Sequence, residues 1–326
     1  IIERGTIGQI FAPPKVGKTF FALDMAVHLA SNTEWNGRRV SGGPVVFLAG
    51  EGVAGIKRRL AAIQKEKHIA CSNLIMSTMP NFGEPDQLLS LLEELKVLPV
   101  PPVMIVVDTL ARATAGLDEN TSKEMGPIME RMAMFTRELN CTVIAIHHTA
   151  KANSTESRGS GAIKGAMDFE ICLTGDANAV IVSCAKSKDA EPFDDMAFRL
   201  DSVVLPSNHT DNFGGTVSSA VIEWLDVAEV EIKKPLTKTE IAVLTSFDAM
   251  WLDASRHVTT PPELVRELGL SGSPVGLPID LVREHWERSQ VVSLTASGLR
   301  MGWKRGTEGL ISKGVMRAFG DILVKK

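Results

Sequence analysis

The sequence has no run of about 18 consecutive apolar residues, so no membrane-spanning helix is expected. No signal peptide, internal repeat or low-complexity tract is visible. Only four cysteines occur, Cys71, Cys141, Cys172 and Cys184, and none has CxxC spacing. The last three sit in apolar or strand-like runs, which reads as buried free thiols in a reducing compartment rather than disulfides or a metal site. There is no basic excess: 35 Lys and Arg face 39 Asp and Glu, a net charge of -4. That excludes attraction of the whole molecule to a polyanion and leaves room only for a local basic lining. Tyrosine is absent altogether, and nothing else in the composition explains it. An initiator Met is also missing; the chain opens at Ile1 almost directly on its first apolar run, so a fragment lacking an upstream domain is expected.

What is present is the composition of an ordinary globular protein, 44% apolar and 23% charged over 326 residues, with room for two domains. Apolar, β-branched runs recur at 6–11, 44–49, 74–77, 103–108, 142–147, 169–173 and 180–185. Helical patterns at 19–30, 53–67, 84–94 and 121–139 separate the first five. Such alternation predicts a mostly parallel twisted sheet covered on both faces, with ligands at the carboxyl ends of its strands. A short turn at Thr174-Gly175-Asp176 predicts an antiparallel edge, continued by 196–206 and 217–224.

Character changes near 230. The expected division is an α/β domain over 1–230, a linker at 231–236 and a small α+β module over 237–326. In that module, helices at 237–250, 279–289 and 297–313 and a strand pair at 315–319 and 322–325 suggest a winged helix, with 259–277 as loop. Its third helix carries Arg300, Lys304, Arg305 and Lys313 around Trp303 and is read equally as a DNA-phosphate contact or a solvated face.

Residues 12–19 read Ala12-Pro13-Pro14-Lys15-Val16-Gly17-Lys18-Thr19, between a strand and a helix that continues through Phe20. Strand, loop, Gly-Lys-Thr and helix form the context of a phosphate-binding P-loop, with Ala12 where Gly is usual. Backbone N–H groups and the helix N-terminus supply positive potential for a triphosphate. Lys18 would reach the β- and γ-phosphates, and the Thr19 hydroxyl would hold Mg²⁺. The buried strand 103–108 ends in Asp108, a second Mg²⁺-side group. The strand 45–49 runs into Gly50-Glu51-Gly52, placing a carboxylate where it can polarise water toward the γ-phosphate.

His147 and His148 close another strand, and alternation sends them to opposite faces: one to sense phosphate or position water, the other to pack. Two polar stretches leave the same edge. Residues 153–167, rich in Ser, Gly and Ala, read as a mobile loop, and 110–126 as a second loop. Segments 111–125 and 149–165 contain the cations Arg112, Lys123, Lys151, Arg158 and Lys164 but no aromatic ring, so a grip on single-stranded DNA there would be mainly through phosphates.

The chain resembles the RecA-like P-loop NTPase core, in particular the RepA-like hexameric helicases of plasmids and phages. The residues that carry the likeness are Pro-Pro-x-x-Gly-Lys-Thr at 13–19, Ala-Gly-Glu-Gly at 49–52, Val-Val-Asp-Thr-Leu at 106–110, Leu-Asp-Glu-Asn at 117–120, His-His-Thr-Ala-Lys at 147–151 and Arg-Gly-Ser at 158–160. The resemblance covers about residues 1–225. It implies ATP hydrolysis with Mg²⁺, Glu51 as catalytic carboxylate, Lys18, Thr19 and Asp108 on phosphates and metal, and His148 as sensor. It also implies single-stranded DNA as partner, a homo-hexamer or other ring, a primase upstream or in trans, and the cytoplasm of a bacterial or phage-infected cell. In such rings a neighbouring subunit lends an Arg, ten residues beyond the Arg of Arg-Gly-Ser; here Asp168 stands there. Lys186 and Lys188, comparable to the trans Lys pair of RecA-like recombinases, or Arg158, are the substitutes. The other reading is a non-unwinding regulatory or recombination-mediator ATPase acting as a nucleotide switch.

Overall fold

The computed structural model describes residues 2–50, 52–150, 153–206, 209–210, 213–230, 238–259, 262, 275–290, 295–319 and 321–325. The chain divides into two compact units, Ile1–Ile232 and Lys233–Lys326. The segment 231–236, expected as a linker, lies outside the described residues.

The first unit is built on strands β1 (Ile7–Ala12), β2 (Val45–Ala49), β3 (Leu74–Thr78), β4 (Met104–Asp108), β5 (Thr142–Ala150), β6 (Asn153–Ser157), β7 (Phe169–Asp176), β8 (Ala179–Ser187), β9 (Met196–Val204) and β10 (Ser218–Leu225). The order across the sheet is β10-β9-β8-β7-β1-β5-β4-β2-β3, with β6 paired to β5. Strands β7, β1, β5, β4, β2 and β3 run parallel, and β8, β9 and β10 add an antiparallel edge. Helices α1 (Lys18–Ala30), α2 (Val53–Lys67), α3 (Pro85–Lys96), α4 (Leu110–Ala113), α5 (Ser122–Leu139) and α6 (Gly161–Ala166) complete it.

Strand alternation divides the core in two. Ile10, Phe47, Val106, Ile144 and Ile146 face α1 and α2, packing with Phe21, Met25, Ile56 and Ile63. Ile7, Leu48, Ile105, Val107, Val143 and Ala145 face α3 and α5, packing with Leu88, Leu92, Met125 and Met132. The continuous apolar runs follow from this: each central strand is buried on both sides. Gly8 permits β7 to close on β1, since a Cβ there would stand 2.3 Å from the Phe169 ring. At the antiparallel edge, Phe21, Trp35, Phe198 and Trp224 form an aromatic cluster with centroid separations from 5.4 to 6.3 Å.

Three local expectations are corrected. Residues 153–167 hold strand β6 and helix α6 rather than a loop throughout, because the small residues there suit pairing with β5 and packing on α5. The stretch 110–126 contains α4 and the first turn of α5. The β7–β8 turn falls at residues 177–178, beyond Thr174-Gly175-Asp176, which belong to β7.

The second unit has helices α7 (Lys238–Trp251), α8 (Ile279–Ser289) and α9 (Ala296–Ser312) and strands β11 (Val258–Thr259), β12 (Val275–Pro278), β13 (Met316–Phe319) and β14 (Ile322–Lys325), in antiparallel order β11-β12-β14-β13. Val275–Pro278 is therefore strand, where 259–277 reads as loop, because Leu277 buries itself beside Leu323. Trp303 belongs to the core against Trp286, with centroids 5.8 Å apart, and Lys313 pairs with Glu240 at 2.5 Å. Arg300, Lys304 and Arg305 remain exposed.

Candidate nucleotide site and its coupled loops

The end of β1 turns into α1 through Gly17, whose φ of 105° lies in the left-handed region that glycine tolerates. The helix thereby begins at Lys18 and Thr19 with its first N–H groups open to an anion. Ala12 is buried in the core, so the missing glycine costs the loop nothing visible. Pro13 is half-buried, Pro14 and Lys15 are exposed, Val16 is buried, and Phe20 packs beside the first turn.

The Lys18 ammonium donates to the carbonyls of Ala12 and Pro13, both at 3.0 Å. Burial pushes its pKa down to about 8, while Asp108 pulls the other way. A buried cation resting on carbonyls of its own loop is poised to exchange them for phosphate oxygens. Asp108, buried at the tip of β4, lies beside Ala49 of β2 and Ile146 of β5, and its carbonyl accepts from Gly50 N at 2.7 Å. The peptide Asp108-Thr109 is cis.

One hydroxyl (Thr19) and one carboxylate (Asp108) thus flank the loop. Among the described residues no group of three or more His, Cys, Asp or Glu is placed to hold a metal ion by itself. A hard cation sharing phosphate oxygens and water needs only such an oxygen pair, so the donors fit Mg²⁺. Glu51 lies outside the described residues, as does Lys151.

Strand β5 lies beside β1, pairing His147 with Phe11 and His148 with Ala12. His148 follows the parity of Ile144 and Ile146 toward α1 and the phosphate loop; His147 follows Val143 and Ala145 to the opposite face. The fully buried His147 donates from Nε2 to the Arg158 carbonyl at 2.9 Å. Burial lowers its pKa to about 4. Arg158 N in turn donates to the His148 carbonyl at 3.0 Å.

The Arg158 guanidinium closes on Glu119, whose other oxygen stands 3.9 Å from His147 Nε2 and whose carbonyl accepts from Ser160 N at 2.8 Å. Leu-Asp-Glu-Asn at 117–120 and Arg-Gly-Ser at 158–160 are therefore cross-locked over the end of β5. Below them, buried Gln9 donates to Glu170, which also receives Ser157 Oγ at 3.5 Å. Sequence reading missed Gln9, Glu170 and the Glu119 latch. Polar residues at 9 and 170 inside otherwise apolar strands were the available signal.

The other sequence candidates are dispersed. Arg112 and Lys123 are exposed, and Lys164 pairs with Glu156 at 3.3 Å. Lys186 donates to the carbonyls of Lys164 and Met167 at 2.7 and 2.6 Å. Lys188 pairs with Asp168 at 3.1 Å, and Asp168 also accepts from Ile7 N at 3.0 Å. Asp168 thus sits beside the first residue of β1, about 16 Å of strand from Ala12 at 3.3 Å per residue.

A family model of the AAA domain matches residues 1–154. That stretch, just under half of the chain, is similar to this family. Two Halobacterium salinarum proteins named DNA repair and recombination protein RadB are 34% identical to this chain over 88 residues, 26% of the chain and 34% of theirs. The chain thus spans about a third of the length of these relatives. Among solved structures, a DnaB-like replicative helicase described with its interactions with primase has a TM-score of 0.49 at 18% identity, covering 66% of this chain and 57% of that one. An isolated ATPase domain gives 0.48 at 16%, covering 66% and 85%. The RadB recombinase gives 0.45 at 17%, covering 61% and 88%. No helix among the described residues is long and apolar enough to cross a membrane.

Proposed function

We propose that this ATPase is a ring-forming motor on single-stranded DNA, a replicative helicase or the helicase part of a primase–helicase. The observation that carries the reading is β5: one strand presents His148 to the phosphate-loop face and ties His147 to two polar loops on the other. Such a strand can pass the state of the nucleotide to a nucleic-acid grip.

In the reaction, water attacks the γ-phosphorus of ATP as the bond to the bridging oxygen breaks, leaving ADP and phosphate. Glu51 orients the water and takes its proton. Lys18 neutralises the phosphate oxygens. Thr19 and Asp108 would hold Mg²⁺, which would supply charge neutralisation to the triphosphate. Arg112, Lys123, Lys151, Arg158 and Lys164 serve DNA phosphates, and Lys186 and Lys188 face a neighbouring subunit.

Turnover measured with and without single-stranded DNA, across protein concentrations, tests this: it should rise with DNA and steepen with concentration. The Lys18→Ala variant should fold yet lose hydrolysis by about 100-fold or more. Normal turnover by that variant would sink the phosphate-loop assignment. Likeness to the RadB proteins favours a second reading, a recombination ATPase that switches without unwinding. Strand displacement on a forked duplex separates the two, since only the helicase yields free single strands.

A further inference from the structure

The two units differ in charge. Residues 1–232 hold 21 Lys and Arg against 29 Asp and Glu, whereas residues 233–326 hold 14 against 10. A net acidic chain thus keeps its positive excess in the second unit, where attraction to a polyanion is concentrated. Ion pairs then decide which of these cations are available. Arg256, Arg283, Arg288, Lys313 and Lys325 each lie within 3.3 Å of a carboxylate. Among the described residues no carboxylate pairs with Arg300 or Arg305 of α9, or with Arg317 of β13, and Lys304 has only the loose contact to Glu308 at 3.8 Å. Glu308 is the sole acid on α9.

The chain runs from β12 through α8 and α9 into the β13–β14 hairpin, and the sheet order β12-β14-β13 closes that hairpin against β12. Helix α9 is therefore the second of a helix pair backed by a hairpin, the helix that such modules lay in a DNA groove. Its inner side is built for close contact: a Cβ at Gly302 would stand 3.0 Å from the Trp286 ring, and one at Gly306 would stand 2.7 Å from Val243. Glycine weakens a helix, so its place here serves packing on α7 and α8 rather than propensity. On the other side Ser297, Arg300, Met301, Lys304 and Arg305 are exposed at three- and four-residue steps. They span about 12 Å of helix at 1.5 Å per residue, and the major groove, about 12 Å wide, admits one α-helix. The one aromatic ring of α9, Trp303, is buried against Trp286, so this face offers no platform for unstacked bases. We propose that the outward face of α9 binds double-helical DNA, with Arg300, Lys304 and Arg305 on the phosphates beside the groove and Met301 against sugars and base methyl groups. The site is separate from the single-strand grip of the first unit and works without nucleotide.

Fluorescence anisotropy of the full chain without nucleotide, on a labelled duplex and on its separate strand, provides the test. Arg300→Gln, Lys304→Gln and Arg305→Gln together should weaken duplex binding about 30-fold at low salt and single-strand binding less than about threefold. The slope of log affinity against log salt should fall by about one for each cation removed. Glu308→Gln, which frees Lys304, should tighten the duplex about twofold, a gain that misfolding cannot produce. Turnover without DNA should stay within about twofold of the parent in all these variants. Lys18→Ala should bind duplex as the parent does, so failure of the phosphate-loop assignment would leave this site standing. A triple variant that holds duplex as tightly as the parent, or that loses duplex and single strand alike, overturns the proposal. So does a parent chain with no affinity for duplex, which would leave α9 as a protein contact or a solvated face.

Discussion

Burial gives His147 a consequence that does not depend on catalysis. Its pKa falls from 6.5 to about 4, so between those values the unfolded chain binds a proton that the folded chain refuses. Stability therefore rises with pH through this window, is complete above it, and is lost as acid takes the pH toward the lower limit. The contribution amounts to about 3 kcal/mol. Replacing His147 by Gln keeps a donor toward the Arg158 carbonyl and removes the titration. Urea unfolding of His147→Gln should show a flatter pH profile between 4 and 6.5 than the parent; an unchanged slope would place the acid sensitivity elsewhere. Alternation in the sequence shows that the two histidines part company. Which one packs depends on the parity of β5 relative to α1 and α5, and that is set by residues far away in the chain.

At the scale of elements, the Glu119–Arg158 pair and the Ser160–Glu119 hydrogen bond join the approach to α5 with the approach to α6. An ion pair between two polar loops competes with any polyanion for the same guanidinium. Glu119→Gln should release Arg158 and tighten single-stranded DNA about threefold in fluorescence anisotropy at low salt, with the gain fading as salt rises. No gain at any salt would show that Arg158 does not meet DNA. The loops themselves were legible as polar segments beside the site. Their short helices and β6 were not, because Ser, Gly and Ala carry little periodicity and acquire structure from packing on α5 and pairing with β5.

For the whole molecule, Lys186 and Lys188 lie at the end of the sheet remote from their own phosphate loop, so any action on nucleotide requires another chain. Mixing Lys188→Ala with Glu51→Gln chains should restore part of the turnover that each lacks alone; no recovery at any ratio counts against a shared site. The parallel order of the sheet was readable from strand–helix alternation. The placement of β1 between β5 and β7 was not, because nothing local in residues 7–12 names partners so distant. That placement governs the order in which the chain can fold. The phosphate loop hangs from a strand whose two neighbours are separated from it by more than a hundred residues, Ile10 pairing with Ile146 and Ile171. During synthesis the loop is therefore made early and seated late. Its strand waits for β7 to leave the ribosome before both sides are covered, and nucleotide binding becomes a report that the whole parallel sheet has closed.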